Sequence, residues 1–313
     1  MNEFPQRSRI GVSKVVNRWA TLNVNHEYRN GASLEAHTTT AGVQLTPWTG
    51  GSVTIGSDVM TQDSSRRLGA TVGLDQKIKF DEKWTGSVGV THHAVVAGSG
   101  DLGQVIPDAA VSPIELSEDF TSAYIGLGYR TQWTAGSARI ETRLNEQEDA
   151  YIASGSVSRE VSETFSVAGT ARLQLTQPED LGAGETDEVS GDLKVGFAWR
   201  PRVEGPVVLN RLDVEYDRSR FGDTTTKVVN NLAANSYVGD RTQVAAHYGV
   251  KYVESEFGGI KVSDWTHLLG GEARFDVTER IDLGIHGSIL YVPGSGTKEY
   301  CLLYTSPSPR DRG

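Results

Sequence analysis

Residues 121–130 read TSAYIGLGYR. Ala123, Ile125, Leu127 and Tyr129 share one parity; Ser122, Tyr124, Gly126, Gly128 and Arg130 share the other. Successive side chains of a β-strand point to opposite faces. This segment is therefore a strand with one apolar face and one polar, glycine-rich face. EVSGDLKVGFAW (188–199) sets Val189, Leu193, Val195, Phe197 and Trp199 against Ser190, Asp192, Lys194 and Gly196. QVAAHYGVKY (243–252), KWTGSVGVTH (83–92), ETFSVAGTARLQL (163–175) and NRLDVEYDRS (210–219) read the same way. The i, i+3, i+4, i+7 spacing of an amphipathic helix is absent.

The pattern predicts about sixteen strands. They span roughly 8–16, 19–29, 37–46, 51–61, 67–79, 84–95, 119–131, 135–144, 148–159, 164–177, 187–200, 207–219, 224–237, 241–254, 264–277 and 281–292. Many alternate for about ten residues, the length needed to cross a bilayer, where a soluble strand averages 5–6. The connections fall into two alternating classes. VNRW, PWTGG, FDEKW, QWTAG, VSETF, VGDR and VTERI are tight, and RPRVEGP is slightly longer. RNGASLEA, TQDSSRR, NEQED, QPEDLGAGETDE, SRFGDTTT, VESEFGGIKVSD and residues 96–118 are longer or more polar. Up-and-down strands put the two classes at opposite ends, as in an outer-membrane barrel with short periplasmic turns and long external loops.

Trp19, Trp48, Phe80, Trp84, Trp133, Phe165, Trp199, Tyr237 and Phe275 lie at or beside the tight turns. Aromatic rings favour the membrane–water interface. Trp19, Trp48, Trp84, Trp133 and Trp199 are thus expected to form an aromatic girdle at one rim. The competing reading is that these bulky residues plug one end of a barrel or sandwich. Charge gathers on the other parity: Asp75, Lys77, Arg130, Arg172, Asp192, Lys194, Asp213, Glu215, Lys251, Glu272, Arg274 and Asp282. A dry interior does not hold so many charges without a large desolvation cost. A barrel of sixteen or more strands has a lumen that does. Arg130, Arg172, Asp192, Lys194, Asp213, Glu215, Lys251, Arg274 and Asp282 are the lumen-facing candidates. The apolar parity also carries Gly86, Ala123, Gly169, Ala171, Gly191, Ala246, Ala273 and Gly287. A protein core would be left with voids there, which lipid fills.

Composition narrows the alternatives. The chain has 313 residues, a net charge of −10, 35 glycines and one cysteine. The acidic balance argues against nucleic acid as a partner. A single cysteine excludes a disulfide framework and a cysteine-based zinc site. No apolar run is long enough for a transmembrane helix, and the N-terminus MNEFPQRSRI does not read as a signal peptide.

LTPWTGGSVTIG, RRLGATVGLDQKIKFDEKWTGSVGV, EDFTSAYIGLGYR, TQWTAGSARIE and FDVTERIDLGIHGS resemble the C-terminal β-barrel region of large Gram-negative outer-membrane proteins, porin-like or TonB-dependent-receptor-like. The resemblance covers most of residues 8–292 and rests on turn phrases. It implies a barrel that is a pore or an anchor, located in the outer membrane, with outer-membrane lipid, the barrel assembly machinery and small solutes as partners. No TonB box or plug is visible in the chain. The ending Cys301–Asp311, CLLYTSPSPRD, resembles translated read-through of a sequencing-library adapter. Residues 301–313 are then a non-native tail, and residues 1–300 a barrel fragment lacking terminal strands.

Chemical motifs are weak. His92 and His93 point to opposite faces of one strand and do not chelate one metal. His247 and His286 share the polar parity on strands two apart, and solvated lumen histidines are the simpler reading. Asp101, Asp108, Glu115, Glu118 and Asp119 lack the spacing of a calcium loop. GSGDLG at 98–103 lacks the lysine and helix of a phosphate loop. No serine has partners at recognisable motif spacing. No enzyme activity, cofactor or metal is expected. The function reads as an outer-membrane pore or anchor; the alternative is a soluble β-rich adhesin or binding module.

Overall fold

A computed structural model describes residues 6–31, 34–62, 65–99, 119–182, 184–202, 205–277, 282–293 and 298–305. These residues form seventeen strands and no helix. The chain divides into two compact units. The first comprises residues 1–128, 139–151 and 177–180; the second comprises 129–138, 152–176 and 181–313.

In the first unit β1 (Gln6–Asn17), β2 (Ala20–Gly31), β3 (Leu34–Leu45), β4 (Gly51–Gln62), β5 (Ser65–Lys79) and β6 (Trp84–Ser99) pair in sequence order, each antiparallel to the last. β7 (Phe120–Arg130), β8 (Thr134–Asn145) and β9 (Glu148–Ser162) follow and are shared between the units. The second unit holds most of β10 (Phe165–Pro178), then β11 (Glu188–Trp199), β12 (Val207–Arg218), β13 (Thr224–Val238), β14 (Thr242–Phe257), β15 (Ile260–Asp276), β16 (Asp282–Tyr291) and β17 (Lys298–Thr305). These also pair consecutively and antiparallel. The fold is all-β and up-and-down, as the period-two pattern requires.

The connections correct one expectation. Four segments expected as long loops shrink to two residues: 32–33, 63–64, 146–147 and 258–259. Only 100–119, 179–187 and 219–223, of the seven expected on that side, remain longer. The connection RPRVEGP, 200–206, runs to seven residues, slightly longer than the tight turns as expected. The cause of the shortening is strand extension. β14 and β15 were expected to stop at 254 and start at 264, yet they continue to Phe257 and from Ile260. Ladder hydrogen bonds use the backbone, so pairing continues after apolar alternation has stopped. The hairpin closes through Gly258 and Gly259, at φ +56° and +80°. That is the left-handed pair a two-residue turn matching strand twist demands.

At the other end, Asp81 shapes the turn between β5 and β6. Its Oδ1 accepts hydrogen bonds from the Lys83 and Trp84 backbone N–H groups, both at 2.7 Å. These N–H groups hold the Asp81 carboxyl below the usual carboxylate range, Trp84 contributing most.

β17 was not expected. Its Cα positions pair with β16 from Tyr291↔Lys298 to Gly284↔Thr305, so backbone pairing runs through Cys301–Thr305. An unpaired strand edge is a ready template for any extended segment. The pairing therefore does not bear on that segment's origin. The 101–118 part of the expected long loop, including Asp101, Asp108, Glu115 and Glu118, lies outside the described residues.

Candidate functional site: the polar face

Burial is inverted relative to a soluble sheet. Ile125 is 64% exposed and Leu127 45%, whereas the alternate residues Tyr124, Gly126 and Gly128 are half-buried. Among the described residues, the buried polar or charged side chains are Asp58, Gln62, Ser65, His93, Glu141 and Thr176. The buried apolar set is smaller in bulk: Ala20, Ala36, Met60, Ala150 and Ile152. The packed side of the sheet is its polar side.

In the first unit the polar face is knitted by side chains reaching over glycines. Asp58 on β4 sits in register with Gly69 on β5, and His93 projects from β6. His93 Nε2 and Asp58 Oδ1 are 3.0 Å apart, with side chains 0% and 2% exposed. A Cβ on Gly69 would collide with His93 Nε2 and lie 2.6 Å from Asp58 Oδ1. Only glycine leaves room for the pair to meet across the middle strand. The Phe120 ring stacks on His93 at 5.4 Å. The device recurs one strand on. Asp75 on β5 is in register with Gly89 on β6, and the Tyr124 hydroxyl donates to Asp75 Oδ1 at 2.6 Å. The Arg139 guanidinium lies 3.6 Å from the centre of the Tyr124 ring and is 2.8 Å from Glu141. Arg143 closes the row at 2.6 Å from Glu141.

The second unit builds its polar face as a lattice of pairs that are mostly half-buried and partly open to solvent. In register across β10–β13 run Arg172, Asp192, Glu215 and Lys227. The adjacent row, from β10 to β14, reads Thr170, Lys194, Asp213, Val229 and Lys251. Lys194 bonds Asp192 at 2.9 Å, Arg211 bonds Asp213 at 2.8 Å, and Lys227 bonds Glu215 at 2.8 Å. Arg274 stands opposite Gln243 and Gly284, and Asp282 opposite Asp276. Arg130 shares the parity of Tyr124 on β7. The register thus puts eight of the nine lumen-facing candidates, all but Arg130, on one continuous polar face of β10–β16. His247 and His286 on that face stack at 5.9 Å over Gly270. Among the described residues no three His, Cys, Asp or Glu side chains are arranged to hold a metal.

A concavity of about 880 Å³ opens on the second unit. Its floor includes Ala168, Gly196 and Ala198, and Arg130, Arg159, Lys194 and Arg211 line it.

Trp19, Trp48, Trp133 and Trp199 are exposed beside the turns that follow odd-numbered strands, as is Trp84 at the start of β6. A second aromatic set lies toward the other strand ends: Tyr28, Tyr151, Tyr216, Tyr252, Trp265 and Tyr291. Sequence reasoning missed it, because these residues reveal a common level only in register. The Trp265 ring lies 4.7 Å from that of Tyr252, tilted by 42°. Trp199 is opposite Val208, and Tyr216 stands eight residues further along β12. At 3.3 Å per residue that is about 26 Å. From Trp19 to Tyr28 the nine residues span about 30 Å.

No protein-family model matches this chain, and no curated protein does. Solved structures do. OmpTdeltaL8, a loop-deletion mutant of the Vibrio cholerae outer membrane protein OmpT, is 9% identical, with 95% of this chain and 94% of that chain covered and a TM-score of 0.39. The copper transporter OprC is 11% identical, with 93% and 61% covered and a TM-score of 0.47. Pseudomonas aeruginosa OprD is 10% identical, with 97% and 92% covered and a TM-score of 0.34. These values are too low to carry strand number, closure or activity across to this chain.

Proposed function

We propose that this chain is an integral β-barrel of a Gram-negative outer membrane and that its polar face lines a water-filled pore for small solutes. The observation that carries the reading is the inverted burial. A sheet that exposes Ile125, Leu127, Val72 and Leu193 while packing Asp58 and His93 needs an apolar solvent outside and a polar space inside. The two aromatic levels agree with this. Separations of about 26–30 Å along strands tilted by about 40° give an apolar band of about 20–23 Å, close to the band of known barrels. The lattice of partly solvent-open pairs on β10–β13 suits water rather than a dry interior. Outer-membrane lipid is then the solvent of the apolar face, and the barrel assembly machinery the route to the membrane.

The test is conductance. Protein refolded in detergent, and shown to be heat-modifiable on a gel, is added to a planar bilayer. Stepwise ohmic currents support the pore. A heat-modifiable protein that never conducts overturns it and leaves a closed barrel acting as an anchor.

A further inference from the structure

The concavity on the second unit carries a solute class. Three cations of the polar parity line it, Arg130, Lys194 and Arg211, against a single carboxylate, Glu160, while Arg159 borders it on the parity of Val157. The floor is bare where Gly196, Ala168 and Ala198 carry almost no side chain. Register explains the opening: Ala168, Gly196 and Arg211 are direct neighbours across β10–β12, and Arg211 bonds Asp213 along its own strand, leaving the two small positions beside it unfilled. Ser166, Thr170 and Asn231 add hydroxyl and amide groups to the wall.

Two of the cations are paired, and the pairing decides which charge faces the space. Asp192 and Asp213, which hold Lys194 and Arg211, are outside the lining. Their side chains are 28% and 13% exposed, against 41% and 61% for the two cations. Each carboxylate thus flanks its cation two residues along the same strand face, and the cation is the more exposed member of the pair. Arg130 is exposed and has no ion-pair partner among the described residues. An otherwise acidic chain has gathered a positive, donor-rich, roomy recess.

From this the geometry points to a binding site for small oxyanions, phosphate or carboxylate bearing solutes, on the polar face of β10–β12 beside the turn that carries Trp133. Guanidinium groups match such oxyanions with two parallel hydrogen bonds, and Lys194 supplies a point charge. Trp133 lines the same recess and reports on its occupancy. The inference deepens the pore reading but does not share all its tests.

Two measurements separate them. The first is the reversal potential of the conducting protein under a potassium chloride gradient. Anion preference is expected, and Arg130→Glu combined with Arg211→Glu should lower it severalfold or invert it, while Lys83→Glu in the 80–83 turn leaves it unchanged. The second is Trp133 fluorescence in detergent, as the difference between wild type and Trp133→Phe, titrated with inorganic phosphate. A saturable change lost in the double variant supports the site even if no current is ever seen, in which case only the pore reading falls. Currents without anion preference, or a preference indifferent to the double variant, overturn the site and leave the pore standing. If the charge reversals fail to give a heat-modifiable band, Arg130→Gln with Arg211→Gln replaces them and the same losses are required.

Discussion

The two units use one face for two kinds of polar chemistry. In the first, Asp58 and His93 are buried and meet over Gly69, Tyr124 reaches Asp75 over Gly89, and buried Glu141 is held by Arg139 and Arg143. In the second, Lys194, Arg211 and Lys227 stand in pairs partly open to solvent, and Gly196 and Ala168 leave a recess open. Glycine serves both, to opposite ends. Where a long side chain crosses it, glycine makes a tight joint; where nothing crosses it, glycine makes room. A polar face can therefore be scaffold in one place and solute-accessible in another with no change of fold.

The comparison breaks most readily at His93. His93→Ala leaves the buried Asp58 carboxyl without its imidazole and is expected to destabilise by about 3–5 kcal/mol. Lys194→Met, at a pair partly open to solvent, is expected to change stability by about 1 kcal/mol or less. Urea unfolding in lipid vesicles measures both; equal effects would erase the distinction. Next in size is the apolar face. Ile125→Arg or Leu127→Arg should weaken folding by about 2–4 kcal/mol near the bilayer midplane, and Gly126→Arg by clearly less. The glycine joints sharpen the contrast further. Gly69→Ala forces a methyl into His93 and Asp58 and is expected to lose about 1–3 kcal/mol. Gly191→Ala meets Leu173 Cδ1 at an ordinary 3.6 Å and should be nearly neutral.

The smallest effect lies at the 80–83 turn. The Asp81 pKa is depressed in the folded chain, so its contribution is present above the unfolded value of about 3.9 and fades as pH falls through the folded value. Asp81→Asn keeps an acceptor for Lys83 and Trp84 and should remove that acid sensitivity. Unfolding midpoints compared between pH 5 and pH 2.5 would show the two proteins converging. Parallel lines would contradict the assignment.

Much of this was legible in the sequence, and the limit has a physical cause. Alternation at 121–130 and 188–199 gives those strands and their two faces, because side-chain period is fixed by the strand itself. Strand ends were misread at RNGASLEA and VESEFGGIKVSD. Apolar alternation stops near the edge of the apolar band, but backbone pairing is indifferent to side chains and carries β14 and β15 on to Gly258 and Gly259. The Asp58–Gly69–His93 joint was invisible because it needs the register of three strands. The second aromatic level of Tyr28, Tyr216 and Trp265 was invisible for the same reason.

The central claim is that the apolar parity meets lipid and the polar parity meets water. Single nitroxide labels placed in turn at residues 121 to 129, in protein reconstituted in vesicles, test it most directly. Relaxation by dissolved oxygen should peak at 123, 125 and 127, and relaxation by a water-soluble nickel chelate at 122, 124, 126 and 128. Labels at 123, 125 and 127 shielded from both reagents would mean that the apolar face is a protein core, and the membrane reading would be wrong.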